Sequence, residues 1–261
     1  MAAAAGAYVT SQDPFRALAA SGPGFAATVV KRREATRAWI ATYRHQTTVA
    51  WLTFGAAIGV FVLGWLSVGL LAYLVRENAT VERIDSSVAR WGDEQATAFS
   101  EGGLKVVTML GDNRVVAALV VLLLAFDWTR RRNPRVVLFV VAAVLGVGAI
   151  TIAIKVLMDR ARPTLNPVTD TLGPSFPSGH TSLAAAFFAA AALLLSRGRG
   201  KRATAALGGA AVGLAVAVAA SRVFLDVHWF TDVLAGLALG WAWFAFCAIA
   251  FGGIPRRPQE A

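Results

Sequence analysis

The sequence predicts an all-α, polytopic membrane protein: a six-transmembrane-helix bundle with its polar chemistry gathered at the extracytoplasmic helix ends. Three observations carry this. Of 261 residues 57% are hydrophobic and only 15% charged, where a soluble domain carries roughly a quarter charged. The apolar residues fall into long runs free of charge. Finally, Lys and Arg sit in short clusters between those runs, on alternate sides of the chain's path.

A bilayer core needs about twenty apolar residues in a helix. Residues 49–75 supply twenty-seven without a charge. Residues 115–126 supply only twelve before Asp127, so this second span requires a helix that starts near Gly111 to Arg114 or earlier, with Arg114 snorkelling to the interface. Residues 136–154 give nineteen before Lys155. The fourth span, 181–195, is short but opens on a Ser-Gly-His sequence. The fifth, 204–221, is rich in Ala, Val and Gly, which permits close helix packing. The last is 233–251.

The flanks set the orientation. With both termini in the cytoplasm, the inner segments hold sixteen of the 25 basic residues and only Asp13, Glu34, Asp127 and Glu260 among the acids. The opposite side includes the loop 76–103, where six carboxylates meet three arginines. Lys and Arg accumulate on the cytoplasmic side. Six spans satisfy that rule and five break it. The chain then divides into a mobile cytoplasmic tail, 1–46, with a possible helix over 31–43, a membrane domain, 47–253, and a short cytoplasmic tail, 254–261. Residues 1–24 lack the basic start and continuous apolar stretch of a secretory signal. The net charge of +10 follows the membrane pattern, so no nucleic-acid partner is expected. Cys247 alone makes no disulfide and reads as a packing residue.

Three blocks lie at the outer helix ends. They are Lys155 through Arg162-Pro163, Pro177-Ser178-Gly179-His180, and Ser221-Arg222 through His228 to Asp232. Each has a bland reading. Lys155 and Arg162 suit snorkelling at a helix exit, Ser178 to His180 suit a turn and cap, and His228 beside Trp229 suits an interface. Asp232 resists such a reading, because an ionisable group entering a span is costly and usually has a partner or a job. His45, in the basic tail, has no such company.

Together the blocks resemble the type-2 phosphatidic acid phosphatase superfamily, the lipid phosphate phosphatases. That family's pattern is Lys, six residues, Arg-Pro; then Pro-Ser-Gly-His; then Ser-Arg, five residues, His, three residues, Asp. This sequence matches it in residue and spacing, within roughly 50–252. The resemblance implies a membrane-bound, bacterial-type phosphatase with six spans and its active site on the outer face. Lys155, Arg162 and Arg222 would neutralise the three non-bridging phosphate oxygens. Backbone N–H groups of Ser178 and Gly179, at the opening of span four, suit an anion. His228 would be the nucleophile, giving a phosphohistidine. If span six is already helical there, Asp232 at i+4 would hold one imidazole nitrogen as N–H. His180 would protonate the leaving alkoxide and then activate water. No metal site and no cofactor are expected, the cations doing what a metal would.

The partners this implies are a lipid phosphate substrate and the surrounding membrane lipids; oligomeric state stays open. The substrate stays open among phosphatidic acid, phosphatidylglycerol phosphate, a polyprenyl diphosphate and a phosphorylated lipid-linked sugar. A lipid phosphotransferase would use the same residues. Soluble vanadium haloperoxidases share the motifs but lack spans, and a non-enzymatic membrane interaction protein would typically have lost a histidine. Transporters place ionisable groups at mid-span rather than at helix ends.

Overall fold

The computed structural model describes residues 51–95, 97–163 and 173–252. The tail 1–46, its possible helix, the C-terminal tail and most of the loop 164–175 lie outside these residues. All described secondary structure is helical: α1 (Trp51–Glu77), α2 (Ala79–Glu94), α3 (Ala98–Met109), α4 (Asn113–Arg131), α5 (Pro134–Met158), α6 (Gly179–Ser196), α7 (Lys201–Phe224) and α8 (Phe230–Gly252). Five of them, α1 and α5 to α8, are each long and apolar enough to cross a bilayer.

The sixth expected span takes an unexpected form. Helix α4 starts at Asn113, capped by Asp112, whose Oδ1 accepts the N–H groups of Arg114 (2.8 Å) and Val115 (3.4 Å). It does not extend back through Gly111. Instead α3 precedes it across Leu110 to Asp112 at a bend of 48°, and the pair counts as a sixth span only if taken together. A carboxylate that satisfies the first N–H groups of α4 is the physical reason for the restart. The segment 76–103 also departs from expectation. It is not a loop, since α2 occupies most of it and α3 begins within it.

Local signals explain the other boundaries. Asn78 caps α2 through Thr80 and Val81. Asn133 and Pro134 open α5, with Pro at a first-turn position where its missing N–H costs nothing. Asp159, at φ 42°, ends α5 in the left-handed region, and the chain continues without regular structure through Arg160 to Pro163.

Helix α6 is the centre. Residues 181–188 are all buried, and α6 packs against α4, α5, α7 and α8, most extensively against the last two. Ala184, Ala185, Ala186 and Ala190 let those neighbours come close. Helix α8 comes closest at Gly240, where a Cβ would run into the Ser182 carbonyl and stand 2.6 Å from Ala185 Cβ. Outward-facing residues such as Leu66, Leu145, Ile152 and Val212 are exposed, the inverse of a soluble fold. Cys247 is buried, as its apolar setting suggests.

Helix α2 differs in kind. Charged residues dominate it, and only Asp85, Ala89 and Gly92 are buried, a stripe at i, i+4 and i+7. Gly92 and Trp91 lie on Phe224 at the end of α7, the two rings 5.4 Å apart. The stripe thereby brings a carboxylate against the start of α8.

Candidate functional site

The three sequence blocks meet. Backbone bonds lace them together: Ser178 N–H donates to the Asp232 carbonyl (3.0 Å), and Ser175 N–H to that of Arg160 (2.8 Å). The indole of Trp229 donates to the Ala161 carbonyl at 2.8 Å. The N–H groups of Val227 and His228 both return to the Arg222 carbonyl, closing the turn between α7 and α8. His228 sits in that turn, two residues before α8 begins at Phe230.

His228 therefore does not meet Asp232 along one continuous helix. The tight turn achieves the pairing instead: Nδ1 lies 3.4 Å from Asp232 Oδ2, which also accepts the Trp229 N–H at 3.0 Å. On the other side of the ring, Arg162 Nη1 stands 3.3 Å from Nε2. That contact requires Nε2 to offer its lone pair, so the proton belongs on Nδ1, toward Asp232. Burial is the largest influence on this imidazole and lowers its pKa to about 4, with Arg162 and Arg222 adding to the effect and Asp232 opposing it. The ring is neutral near pH 7, with a free nitrogen aimed toward a guanidinium.

The cations are held by neutral acceptors. Arg162 donates to the carbonyls of Val227 (2.7 Å) and Gly173 (2.9 Å). Burial lowers its pKa from the usual arginine value, against the pull of Asp232. Lys155 Nζ donates to the Pro174 carbonyl and, at 3.4 Å, to that of Ser175. Arg222, only 4% exposed, donates from Nη1 to Thr108 Oγ1 at 2.9 Å, while its buried Nε has no hydrogen-bond partner among the described residues. A buried donor without a partner costs on the order of 1–3 kcal/mol, a debt that a bound anion would relieve.

His180 lies in the first turn of α6, with the charged Arg222, Asp112 and Arg162 and the neutral His228 ring as its neighbours. The bend between α3 and α4 presses on it: a Cβ at Gly111 would fall 2.8 Å from the His180 carbonyl and 3.0 Å from its Cβ. Ser178 is the N-cap residue, but its side chain takes no backbone N–H and instead accepts from Thr181 Oγ1 at 2.9 Å. The first N–H groups of a helix have no intrahelical partner. A Cβ on Gly179 would meet nothing nearer than Thr151 Cγ2 at 3.8 Å, so internal packing does not explain a glycine there.

Sequence reasoning missed four participants. Thr108 holds Arg222 from a helix that precedes every block. Arg160, an unassigned position within the first block, pairs with Asp232 Oδ1 at 2.6 Å and Asp85 Oδ2 at 2.7 Å. Thr231 joins them through its hydroxyl, and its N–H donates to Asp85. Breaking such a buried pair by deleting one partner typically costs about 3–5 kcal/mol. The small-residue stripe of α2, interrupted by one carboxylate, was the available signal for Asp85.

The fold has known counterparts. The PAP2 superfamily matches over residues 135–254. Over 78 residues the chain is 44% identical to a lipid A 1-phosphatase of Rhizobium johnstonii, covering 30% of this chain and 28% of that protein. Over 92 residues it is 36% identical to phosphatidylglycerophosphatase B of Bacillus subtilis, covering 33% of this chain and 44% of that one. The matched stretches thus span less than half the length of these relatives. In three dimensions it resembles a transmembrane PAP2-type phosphatidylglycerolphosphate phosphatase from Bacillus subtilis, with a TM-score of 0.69 at 22% identity, over 78% of this chain and 98% of that one. Three motif blocks thus converge inside the residues, 135–254, that match the PAP2 superfamily, within a multi-pass helical fold similar to membrane-bound bacterial phosphatases.

Proposed function

We propose that the protein is a membrane lipid phosphatase, hydrolysing a phosphomonoester or diphosphate of a lipid through a phosphohistidine on His228. The observation that carries this reading is the His228 ring itself. One nitrogen faces Asp232, the other faces Arg162 at 3.3 Å, and the ring is buried and neutral. A bound phosphoryl group would take the place Nε2 now shares with Arg162. Nε2 would attack phosphorus as the P–O bond to the lipid breaks, and His180 would give the departing oxygen its proton. Water would then attack the phosphohistidine, losing a proton to His180 as the P–N bond breaks. Lys155, Arg162 and Arg222 balance the phosphoryl charge throughout; the Ser178 N–H is spent on the Asp232 carbonyl, so the dipole at the helix start comes from Gly179 and the residues of the first turn after it. No step requires a metal ion.

The arginine distribution supports a site on the extracytoplasmic face of a cell membrane, with both termini in the cytoplasm. The relatives are named for lipid A and phosphatidylglycerophosphate, which places both, with phosphatidic acid and polyprenyl diphosphate, among the substrates to test. The experiment is phosphate release by purified protein from these lipids in mixed micelles, with a chelator present. Release from at least one lipid is expected. Silence on all of them, by folded protein, would overturn the phosphatase reading.

A further inference from the structure

We infer that Asp85 and Arg160 are positioning residues, forming a buried carboxylate–guanidinium–carboxylate chain that fixes how Asp232 presents itself to His228. The inference rests on the phosphohistidine reading above but concerns residues that no motif block assigns.

Asp232 is fully buried and has two oxygens to place. Oδ2 serves His228 Nδ1 and the Trp229 N–H. Were Oδ1 free, the carboxylate could turn about its own axis and the two oxygens could exchange places. Arg160 Nη1, at 2.6 Å, occupies Oδ1 and prevents that. A guanidinium pins a carboxylate only if it is itself pinned. Arg160 is held at its far end by Asp85, whose Oδ2 receives Nη2 at 2.7 Å. Asp85 is held in turn by the Thr231 N–H (2.9 Å) and hydroxyl (2.6 Å), one residue before Asp232. The same hydroxyl accepts from Arg160 Nη1 at 2.8 Å. The Trp229 ring lies 5.5 Å from the guanidinium, which stays part-exposed. The chain thus begins and ends within the first residues of α8, passing through α2 and the segment after α5.

Charge separates Arg160 from its neighbours. Two carboxylates meet it, so it has no net attraction left for a phosphate. Arg162, two residues on, meets carbonyls and an imidazole. The two arginines thus stand in different surroundings, one orienting the nucleophile's partner and one facing the nucleophile. Asp85 lies outside the region that matches the PAP2 superfamily, so α2 becomes part of the catalytic apparatus rather than a bare connection.

A cluster of this kind could also serve only to fasten α2 to α8. That role would lower stability without altering the rate of each folded molecule, and its effect would not depend on Asp232. Kinetics on the folded, full-length protein separate the two. The variants are Asp85→Asn, Arg160→Gln and Arg160→Lys, each alone and combined with Asp232→Asn. The readouts are kcat and KM on p-nitrophenyl phosphate and the inhibition constant of inorganic phosphate. Arg160→Gln should lower kcat about 100-fold and Asp85→Asn about tenfold, with phosphate inhibition within about threefold of wild type. Arg160→Lys, which keeps the charge and one carboxylate bond, should fall between Arg160→Gln and wild type. In the Asp232→Asn background each change should cost less than about twofold, because the group being positioned is gone.

Undiminished kcat in Arg160→Gln, or equal losses with and without Asp232, would overturn the inference. So would losses confined to KM and phosphate inhibition. Should Asp85→Asn fail to fold, the Arg160 pair decides alone. A wild-type protein that releases no phosphate would refute the phosphatase reading instead. An active wild type with an indifferent Arg160→Gln refutes only this one.

Discussion

The two halves of the candidate site handle charge in opposite ways. Around the start of α8, Arg160 lies between Asp85 and Asp232 and is balanced by them. Around the ends of α5, α6 and α7, Lys155, Arg162 and Arg222 are tied down by carbonyls and a hydroxyl, which hold a cation in place without cancelling it. The first half leaves its guanidinium no charge to spare, since two carboxylates share it. The second keeps three cations, a neutral imidazole and an Arg222 Nε without a partner among the described residues. The charge of the acceptor is what differs: two arginines only two residues apart meet carboxylates in one case and carbonyls in the other, which is the basis for proposing that Arg160 orients and Arg162 binds.

The sharpest way to break the comparison is to remove the group both halves serve. His228→Ala should lower phosphate release by at least about 10³-fold in protein that still inserts and folds, as for other covalent nucleophiles. Measured activity within tenfold of wild type would leave neither half with a task.

A smaller effect separates binding cations from their supports. Arg222→Gln should cost about 10²–10³ in kcat/KM, comparable to losing one preorganised donor to a developing charge. Thr108→Val removes only the hydroxyl that holds Nη1, so a loss of about fivefold is expected, near the worth of one hydrogen bond. Steady-state kinetics of both variants test the order. If Thr108→Val proves as damaging as Arg222→Gln, the bend between α3 and α4 is shaping more than one guanidinium.

The pH profile gives the mildest test. Burial keeps the His228 pKa near 4, below the usual 6.5. A depressed value means that the attacking, neutral form persists on the acid side and is lost only as pH falls through about 4. After allowance for the substrate's own ionisation, the acid limb of kcat/KM that belongs to His228 should lie well below 6.5. A limb at or above 6.5 would mean that His228 is less buried, or less surrounded by cations, than the fold implies.

Much of this was legible in the sequence, for identifiable reasons. The blocks carry fixed residue types at fixed spacing, and Lys155, Arg162, His180, Arg222, His228 and Asp232 sit at helix ends that charge-free runs locate well. Helix α6 opens on Ser178 and Gly179 as expected. What escaped notice depends on contacts between segments distant in sequence. Asp85 and Thr108 come from helices with no local chemistry of their own, and their roles appear only once α2 packs on α8 and α3 on α7. The second span was half legible: α4 starts at Asn113, within the expected 111–114, and holds the whole apolar run, but nothing in that run shows that α3 precedes it at a 48° bend across the Asp112 cap. The segment 76–103 was read as a loop because its charge hides a buried stripe only three residues long.

The central claim is that His228 carries the phosphoryl group while His180 moves protons. The most direct measurement is a rapid acid quench of His180→Ala with phosphorus-labelled p-nitrophenyl phosphate, followed by mapping of the label. Nitrophenolate needs little help in leaving, so the first step should survive, whereas hydrolysis of the intermediate should stall without its base. The account predicts an alkali-stable, acid-labile label that accumulates on His228 and is absent from the His228→Ala protein. Label on another residue, or none while both steps slow together, would contradict it.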